Sequence, residues 1–230
     1  MSYNGRYISV VIAASGMGKR MNADINKQYI LLKGKPILAY TIEKFEKNEY
    51  IDEIIIVARE EEKQYCLEEV VKKYNFSKVI NIVSGGDERQ DSVYEGLKAV
   101  NKSCSIVLIH DGVRPFIRDV DILNSIDAAI KYGSSVIGTR VKDTIKIVDR
   151  NNHIVDTPDR RILWAVQTPQ TFSYELILKA YKHAKDEGFI GTDDSMLVER
   201  LGHKVKIIEG SYANIKITTP EDLKLAELLL

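Results

Sequence analysis

Short apolar runs alternate with longer amphipathic stretches along most of the chain. Residues 7–13, 53–58, 79–84, 105–110 and 134–139 are runs rich in Ile and Val, the pattern of strands covered on both faces. Between them, residues 37–48, 60–74, 87–100 and 120–132 carry helical patterns. In the second, Glu60, Glu61 and Glu62 crowd the start, where a helix dipole favours negative charge. The alternation predicts an α/β fold, a single Rossmann-like doubly wound, mostly parallel sheet with right-handed crossovers. Ligands of such a sheet gather at the carboxyl ends of its strands.

The regularity breaks after Gly138. Residues 139–161 read as two extended segments, VKDTIKIVD and HIVDTP, around Arg150-Asn151-Asn152, a β-hairpin signal. Their apolar residues are too few for a core of their own. This predicts a protruding arm of the kind a partner subunit buries, although the pattern also fits a solvated hairpin. Beyond it, residues 173–186 and 193–201 are expected to be helical, with Thr192 as N-cap of the latter. Residues 204–209 and 214–217 read as strands, and a last helix opens at Pro220 behind the cap Thr219.

Composition narrows the classes. A chain of 230 residues suits one α/β domain, here residues 1–230 with the arm inside it. Basic and acidic residues balance at 33 each, against a nucleic-acid binder that relies on overall charge. No apolar run approaches the ~18 residues of a membrane span, and the first residues lack a secretory pattern. Cys66 and Cys104 form no CxxC, which argues against a disulfide framework or zinc site and fits a reducing cytoplasm.

Candidate chemistry begins where the first strand ends. Ala14-Ser15-Gly16-Met17-Gly18-Lys19-Arg20-Met21 is a small, glycine-rich, basic loop, followed by Lys27-Gln28. Small residues let backbone N–H groups approach an anion, and Lys19, Arg20 and Lys27 add positive charge, which suits a nucleoside triphosphate. The loop is not G-x-x-x-x-G-K-[ST], and Met21 stands where a dinucleotide fingerprint needs its third glycine. Taken alone it also fits a plain strand-to-helix turn.

Three further segments carry suitable groups. Gly85-Gly86-Asp87-Glu88-Arg89-Gln90-Asp91-Ser92 opens a helix. There Gly86 brings backbone close to a flat ligand, Asp87 and Ser92 can bond a base edge, and Arg89 can face phosphate or base. His110-Asp111-Gly112-Val113-Arg114-Pro115 ends a strand; Asp111 can hold ribose hydroxyls or a magnesium hydration shell, and Arg114 can brace the loop through a carboxylate. Asp119 and Asp121 read as helix-start carboxylates. Asp159-Arg160-Arg161 and Trp164-Ala165-Val166-Gln167-Thr168-Pro169-Gln170, with Asp143-Thr144 and Asn214-Ile215-Lys216, suit a second phosphate-bearing substrate. The four histidines show no metal spacing.

In order, ASGMGKRM, KQY, GGDERQDSV, HDGVRP, VKDT, DRRILWAVQTPQ, TDDS and NIKIT run the length of the chain. Each is weak alone; together the chain resembles the 2-C-methyl-D-erythritol 4-phosphate cytidylyltransferase family, CTP-using enzymes of the non-mevalonate isoprenoid pathway. Ser15 departs from a usual Ala, and Gly112-Val113 from a usual Ala-Ala. The resemblance implies a nucleotide-diphospho-sugar transferase-like fold. It implies that Ala14, Ser15, Gly16, Gly18 and Lys19 wrap the CTP triphosphate, with Arg20 and Lys27 as the main cations. Gly86, Asp87 and Ser92 would read cytosine, and Asp111 would sit by the ribose and, through water, by Mg²⁺ or another divalent cation. Thr144, Arg160, Thr168 and Lys216 would hold the methylerythritol phosphate. Catalysis would rest on Arg20, Lys27 and Lys216. The implied assembly is a homodimer with exchanged arms, so that Thr144 and Arg160 serve the neighbouring site, with no nucleic-acid or membrane partner.

Three rival classes share parts of this pattern. A cytidylyltransferase for a pentitol phosphate such as ribitol 5-phosphate would share the CTP loop. A non-catalytic nucleotide-binding module would be expected to lack some of Arg20, Lys27, Arg160 and Lys216. A metal-dependent glycosyltransferase would place its D-x-D at a central strand end, whereas the D-x-D here lies beyond Pro115.

Overall fold

The computed structural model describes residues 3–16 and 26–230. Strand β1 (Tyr7–Ala13) leads to a 3-10 turn (Lys27–Tyr29), a small ribbon of β2 (Leu31–Leu32) and β3 (Lys35–Pro36), and helix α1 (Ile37–Glu46). There follow β4 (Glu53–Ala58), α2 (Lys63–Tyr65), β5 (Val79–Ser84), α3 (Arg89–Ala99), β6 (Cys104–Asp111), α4 (Asp119–Tyr132) and β7 (Ser134–Arg140). The arm holds β8 (Ile147–Val148) and β9 (Ile154–Asp156). The chain ends with β10 (Trp164–Ser173), α5 (Tyr174–Asp186), α6 (Asp194–Arg200), β11 (Lys206–Glu209) and α7 (Pro220–Leu229).

The central sheet has seven strands in the order β11-β7-β10-β6-β1-β4-β5. All neighbours are parallel except β10, which runs antiparallel to both β6 and β7. Both faces are covered, which is why the strands read as continuous apolar runs. Ile8, Val10 and Ile12 of β1 pack with Leu38, Ile42 and Phe45 of α1 and Ile122 of α4. Val11 points the other way, among Val93 and Leu97 of α3 and Ile177 of α5. Successive strands move outward from β1 through β4 to β5, and β6 lies on its other side. The chain order therefore reverses beside β1, and a crevice opens at the carboxyl ends of β1 and β6.

The structure differs from the expected elements in four places. Residues 60–74 form a 3-10 turn (Glu60–Glu62), α2 and then a π-helical stretch (Cys66–Lys72) rather than one α-helix. The N-cap of α6 is Asp193, whose side chain accepts from Met196 N, rather than Thr192. Residues 214–217 are irregular: Asn214 Nδ2 donates to Gln167 Oε1 and Thr168 O, and the Ile217 N–H goes to Val113 O, so the segment joins no sheet ladder. The polar stretch around Gln167–Thr168 belongs to β10, an interior strand of the sheet.

Thr219 caps α7 with Pro220 at its first turn. Asp119 and Asp121 open α4, where Arg118 holds Asp121 by two 2.7 Å bonds. β8 and β9 pair as the expected hairpin, and Ile147, Val148, Ile154 and Val155 on it are exposed. Cys66 and Cys104 are buried and unpaired. Among the described residues no helix is long and apolar enough to cross a membrane.

Candidate active site

The crevice collects the ends of β1, β5 and β6. Ala14, Ser15 and Gly16 continue β1; Gly86, Asp87, Arg89 and Ser92 belong to the β5–α3 turn and the helix it opens; Asp111 ends β6. With Lys27 and Lys216 they line one concavity. Gly18, Lys19 and Arg20, expected beside them, lie outside the described residues.

Ser92 welds two of these loops. Its Oγ accepts from Ser15 Oγ at 2.9 Å and from Gly86 N at 3.2 Å. Its hydroxyl is thereby engaged in building the wall. The glycines beside it are required: a Cβ at Gly85 would lie 2.6 Å from Ser92 Oγ, and one at Gly86 2.5 Å from Asp91 Cβ. Buried Gln28 donates from Nε2 to Ala14 O at 2.7 Å, and so fixes Lys27 beside the loop. Sequence reasoning gave Gln28 no role, although its place in KQY was the available signal.

The electrostatic centre is Asp111. Its Oδ2 lies 2.9 Å from Lys216 Nζ and 3.3 Å from Arg114 Nε, and its Oδ1 lies 3.5 Å from Arg89 Nε. Burial opposes ionisation of the carboxyl, but the three cations outweigh it and hold its pKa below the usual carboxylate range. Arg114 thus braces the loop as expected, and its Nη1 also donates to Asn214 O at 2.9 Å. Arg89 is committed to protein groups as well, with Nη1 and Nη2 each donating to an oxygen of Asp194 at 2.9 and 2.8 Å. Burial works against its charge, yet Asp194 and Asp111 make it hold its proton more tightly than usual.

Behind Asp111 a chain of hydrogen bonds fixes a tautomer. His110 Nε2 lies 3.0 Å from Arg114 O, a carbonyl that can only accept, so this nitrogen carries the proton. Burial pushes the His110 pKa down to about 4, which leaves the ring neutral near pH 7 with a bare Nδ1. Nδ1 then accepts from Thr168 Oγ1 at 3.1 Å, and Thr168 Oγ1 accepts from Asp111 N at 3.1 Å. In this arrangement Thr168 orients the Asp111 backbone. The phosphate ligation expected of it would need that hydroxyl proton turned outward.

A second concavity abuts the first. Arg89, Asp111 and Lys216 line both, and Arg114, Thr168 and Gln170 are among the further residues of the second. Thr144 and Arg160 line neither. Both are exposed at the arm, where Arg160 Nη1 donates to Lys142 O at 2.9 Å. Asp194 and Gln170 were not singled out from sequence, although TDDS and QTPQ marked their neighbourhoods. Among the described residues no group of three carboxylate, histidine or cysteine side chains is placed to hold a metal ion. Asp111 is the one described carboxylate that lines both concavities, and Lys216, Arg114 and Arg89 already engage its oxygens.

The chain is similar to known proteins along nearly its whole length. The model of the 2-C-methyl-D-erythritol 4-phosphate cytidylyltransferase family matches residues 8–230. A protein of that name from Caldanaerobacter subterraneus subsp. tengcongensis is 55% identical over 223 residues, covering 97% of this chain and 98% of that one. One from Clostridium acetobutylicum is 56% identical over 220 residues, covering 96% of each. Among solved structures, 4-diphosphocytidyl-2C-methyl-D-erythritol synthase from Anaerococcus prevotii superposes with a TM-score of 0.87 at 37% identity, covering 98% of this chain and 96% of that one.

Proposed function

The chain belongs to the 2-C-methyl-D-erythritol 4-phosphate cytidylyltransferase family, and from that membership we propose how its cleft works. The activity is CTP-dependent cytidylyl transfer to 2-C-methyl-D-erythritol 4-phosphate, a step of isoprenoid synthesis. The observation that carries the mechanism is the meeting of two concavities at Asp111 and Lys216. CTP takes the first, its triphosphate along the backbone of Ala14–Gly16 and its base near Gly86 and Asp87. The acceptor phosphate takes the second.

The nucleophile is a phosphate monoester whose second pKa is about 6, so it is largely dianionic near neutral pH and needs no general base. One of its oxygens bonds to the α-phosphorus of CTP in line with the departing group. The bond from that phosphorus to the oxygen bridging the β-phosphate breaks, and pyrophosphate leaves with the electron pair. The obstacle is the approach of two anions. Lys27 on the nucleotide side and Lys216 at the junction answer it with fixed positive charge, and Arg20 takes the leaving group. A divalent cation, magnesium in our reading, would be held by Asp111 through water together with the triphosphate, and would neutralise charge on the departing pyrophosphate.

The arm is assigned to a second copy. Its exposed Ile147, Val148, Ile154 and Val155 need cover, and Thr144 and Arg160 reach neither concavity of their own chain. A homodimer with exchanged arms supplies both. The reaction belongs in the cytoplasm, where unpaired cysteines are usual. The test is pyrophosphate release with CTP and Mg²⁺, offering methylerythritol 4-phosphate and ribitol 5-phosphate separately. Turnover is expected with the former. Turnover with ribitol 5-phosphate alone would overturn the acceptor assignment, and release with neither would overturn the mechanism.

A further inference from the structure

The Arg89 guanidinium serves two carboxylates at once. Both Nη atoms face Asp194, and Nε faces Asp111 Oδ1 at 3.5 Å. Behind Asp194 the Tyr181 phenol donates to Oδ1 at 2.5 Å. Asp194 and Tyr181 are 1% and 2% exposed, and neither lines either concavity of the cleft. Gln170 of β10 fixes the start of α6, where Asp194 sits. Its Oε1 accepts from Ser195 N and its Nε2 donates to Asp193 Oδ2, each at 2.9 Å.

Asp194 is enclosed while the Arg89 side chain is 35% exposed, and such a pair is a poor source of stability, because desolvating the charge costs about what the attraction returns. What it supplies is direction. A carboxylate that takes both Nη atoms fixes the guanidinium plane and leaves its Nε edge toward Asp111, as an ion pair at 3.5 Å. Arg89 then takes Asp111 by one oxygen, and the other oxygen remains with Lys216 and Arg114.

We propose that Asp194 and Tyr181 are positioning residues for the transfer: they aim Arg89 so that Asp111 keeps Lys216 at the junction of the two concavities. Released from Asp194, the guanidinium would turn its paired donors onto Asp111, the nearest remaining carboxylate, and displace Lys216. The proposal rests on the reading of Asp111 and Lys216 as the transfer site.

Steady-state kinetics of the full chain test it, with thermal unfolding followed on each variant. Asp194→Asn keeps the shape of the side chain and is expected to lower kcat about 30-fold, as displacement of a catalytic group by an ångström can. KM for CTP should change by less than about threefold, because Lys27 and the β1 loop are untouched. Tyr181→Phe should lower kcat about fivefold, and Asp194→Glu should keep it within about threefold of the parent. Because Asp194 acts through Arg89, adding Asp194→Asn or Tyr181→Phe to Arg89→Met should cost nothing further. Losses that multiply in the double variants would overturn the proposal, as would a normal kcat in Tyr181→Phe; these hold even if Asp194→Asn fails to fold. Asp111→Asn separates the two readings. A normal kcat there defeats the site assignment, whereas a large loss there beside normal kcat in Asp194→Asn and Tyr181→Phe defeats the positioning role alone.

Discussion

His110 ties the fold to the charge of the site. It is fully buried at the next-to-last position of β6, with its ring edge-on to Phe45 at 4.9 Å. Burial and the nearby Arg114 and Lys216 charges disfavour its protonation more than the Arg114 carbonyl and Asp111 favour it, and its pKa falls to about 4. In the unfolded chain it returns to about 6.5. Between those values the unfolded state binds a proton that the folded state does not, so stability rises with pH across the window and is lost as pH falls. Asp111 acts in the same direction at lower pH, because its pKa is also depressed by folding. The urea midpoint should therefore drop between pH 7 and pH 5, and His110→Gln, which keeps a donor toward Arg114 O, should flatten that drop. An unchanged slope in the variant would remove His110 from the account. From sequence Asp111 was legible as a strand-end carboxylate, and Arg114 as a brace of the loop through a carboxylate not yet identified. That Arg89 and Lys216 join them was not, because contacts between distant segments leave no local pattern.

Among the elements, what could be read followed what each one buries. β1 and β4 are apolar on both faces and announce themselves. β10 does not, although it lies inside the sheet between β7 and β6. Its ladder with β7 breaks between Val166 and Gln170, and Pro169 sits in that break, where the missing N–H costs nothing. The polar residues that disguise it, Gln167, Thr168 and Gln170, are buried because they build the site. Residues 214–217 mislead for the complementary reason: their alternation looks like a strand, but Asn214 is buried to hold Gln167 and Thr168. Gly96 shows the same logic inside a helix. Alanine there would gain about 1 kcal/mol of helix propensity. Its Cβ would stand 2.5 Å from Val11 Cγ1 and 2.7 Å from Val57 Cγ2, both on stiff, fully buried side chains. Overpacking of that kind costs about 1–3 kcal/mol, so Gly96→Ala should lower the urea midpoint with the m-value unchanged. A stabilised Gly96→Ala would mean that α3 can move off the sheet.

At the scale of the whole molecule, the two concavities are lined without Thr144 or Arg160 of the arm. Arg160 and Thr144 are exposed, and so are the apolar Ile147, Val148, Ile154 and Val155 of β8 and β9. If the arms are exchanged, each site joins the cleft of one copy to the arm of the other, and defects in the two parts can be separated. Lys27→Ala damages the cleft and should lower kcat about a hundredfold, the usual loss for one preorganised charge. Arg160→Ala damages the arm. In a heterodimer of the two, purified through separate tags, one site combines the intact cleft with the intact arm and the other combines both defects. The heterodimer should then recover about half the turnover of the parent dimer, although each variant alone is nearly inactive. If cleft and arm act within one chain, every site in the mixture carries a defect and nothing is recovered. Recovery would also explain why the arm carries so few core-forming residues: its burial and its chemistry would both be completed by the second copy.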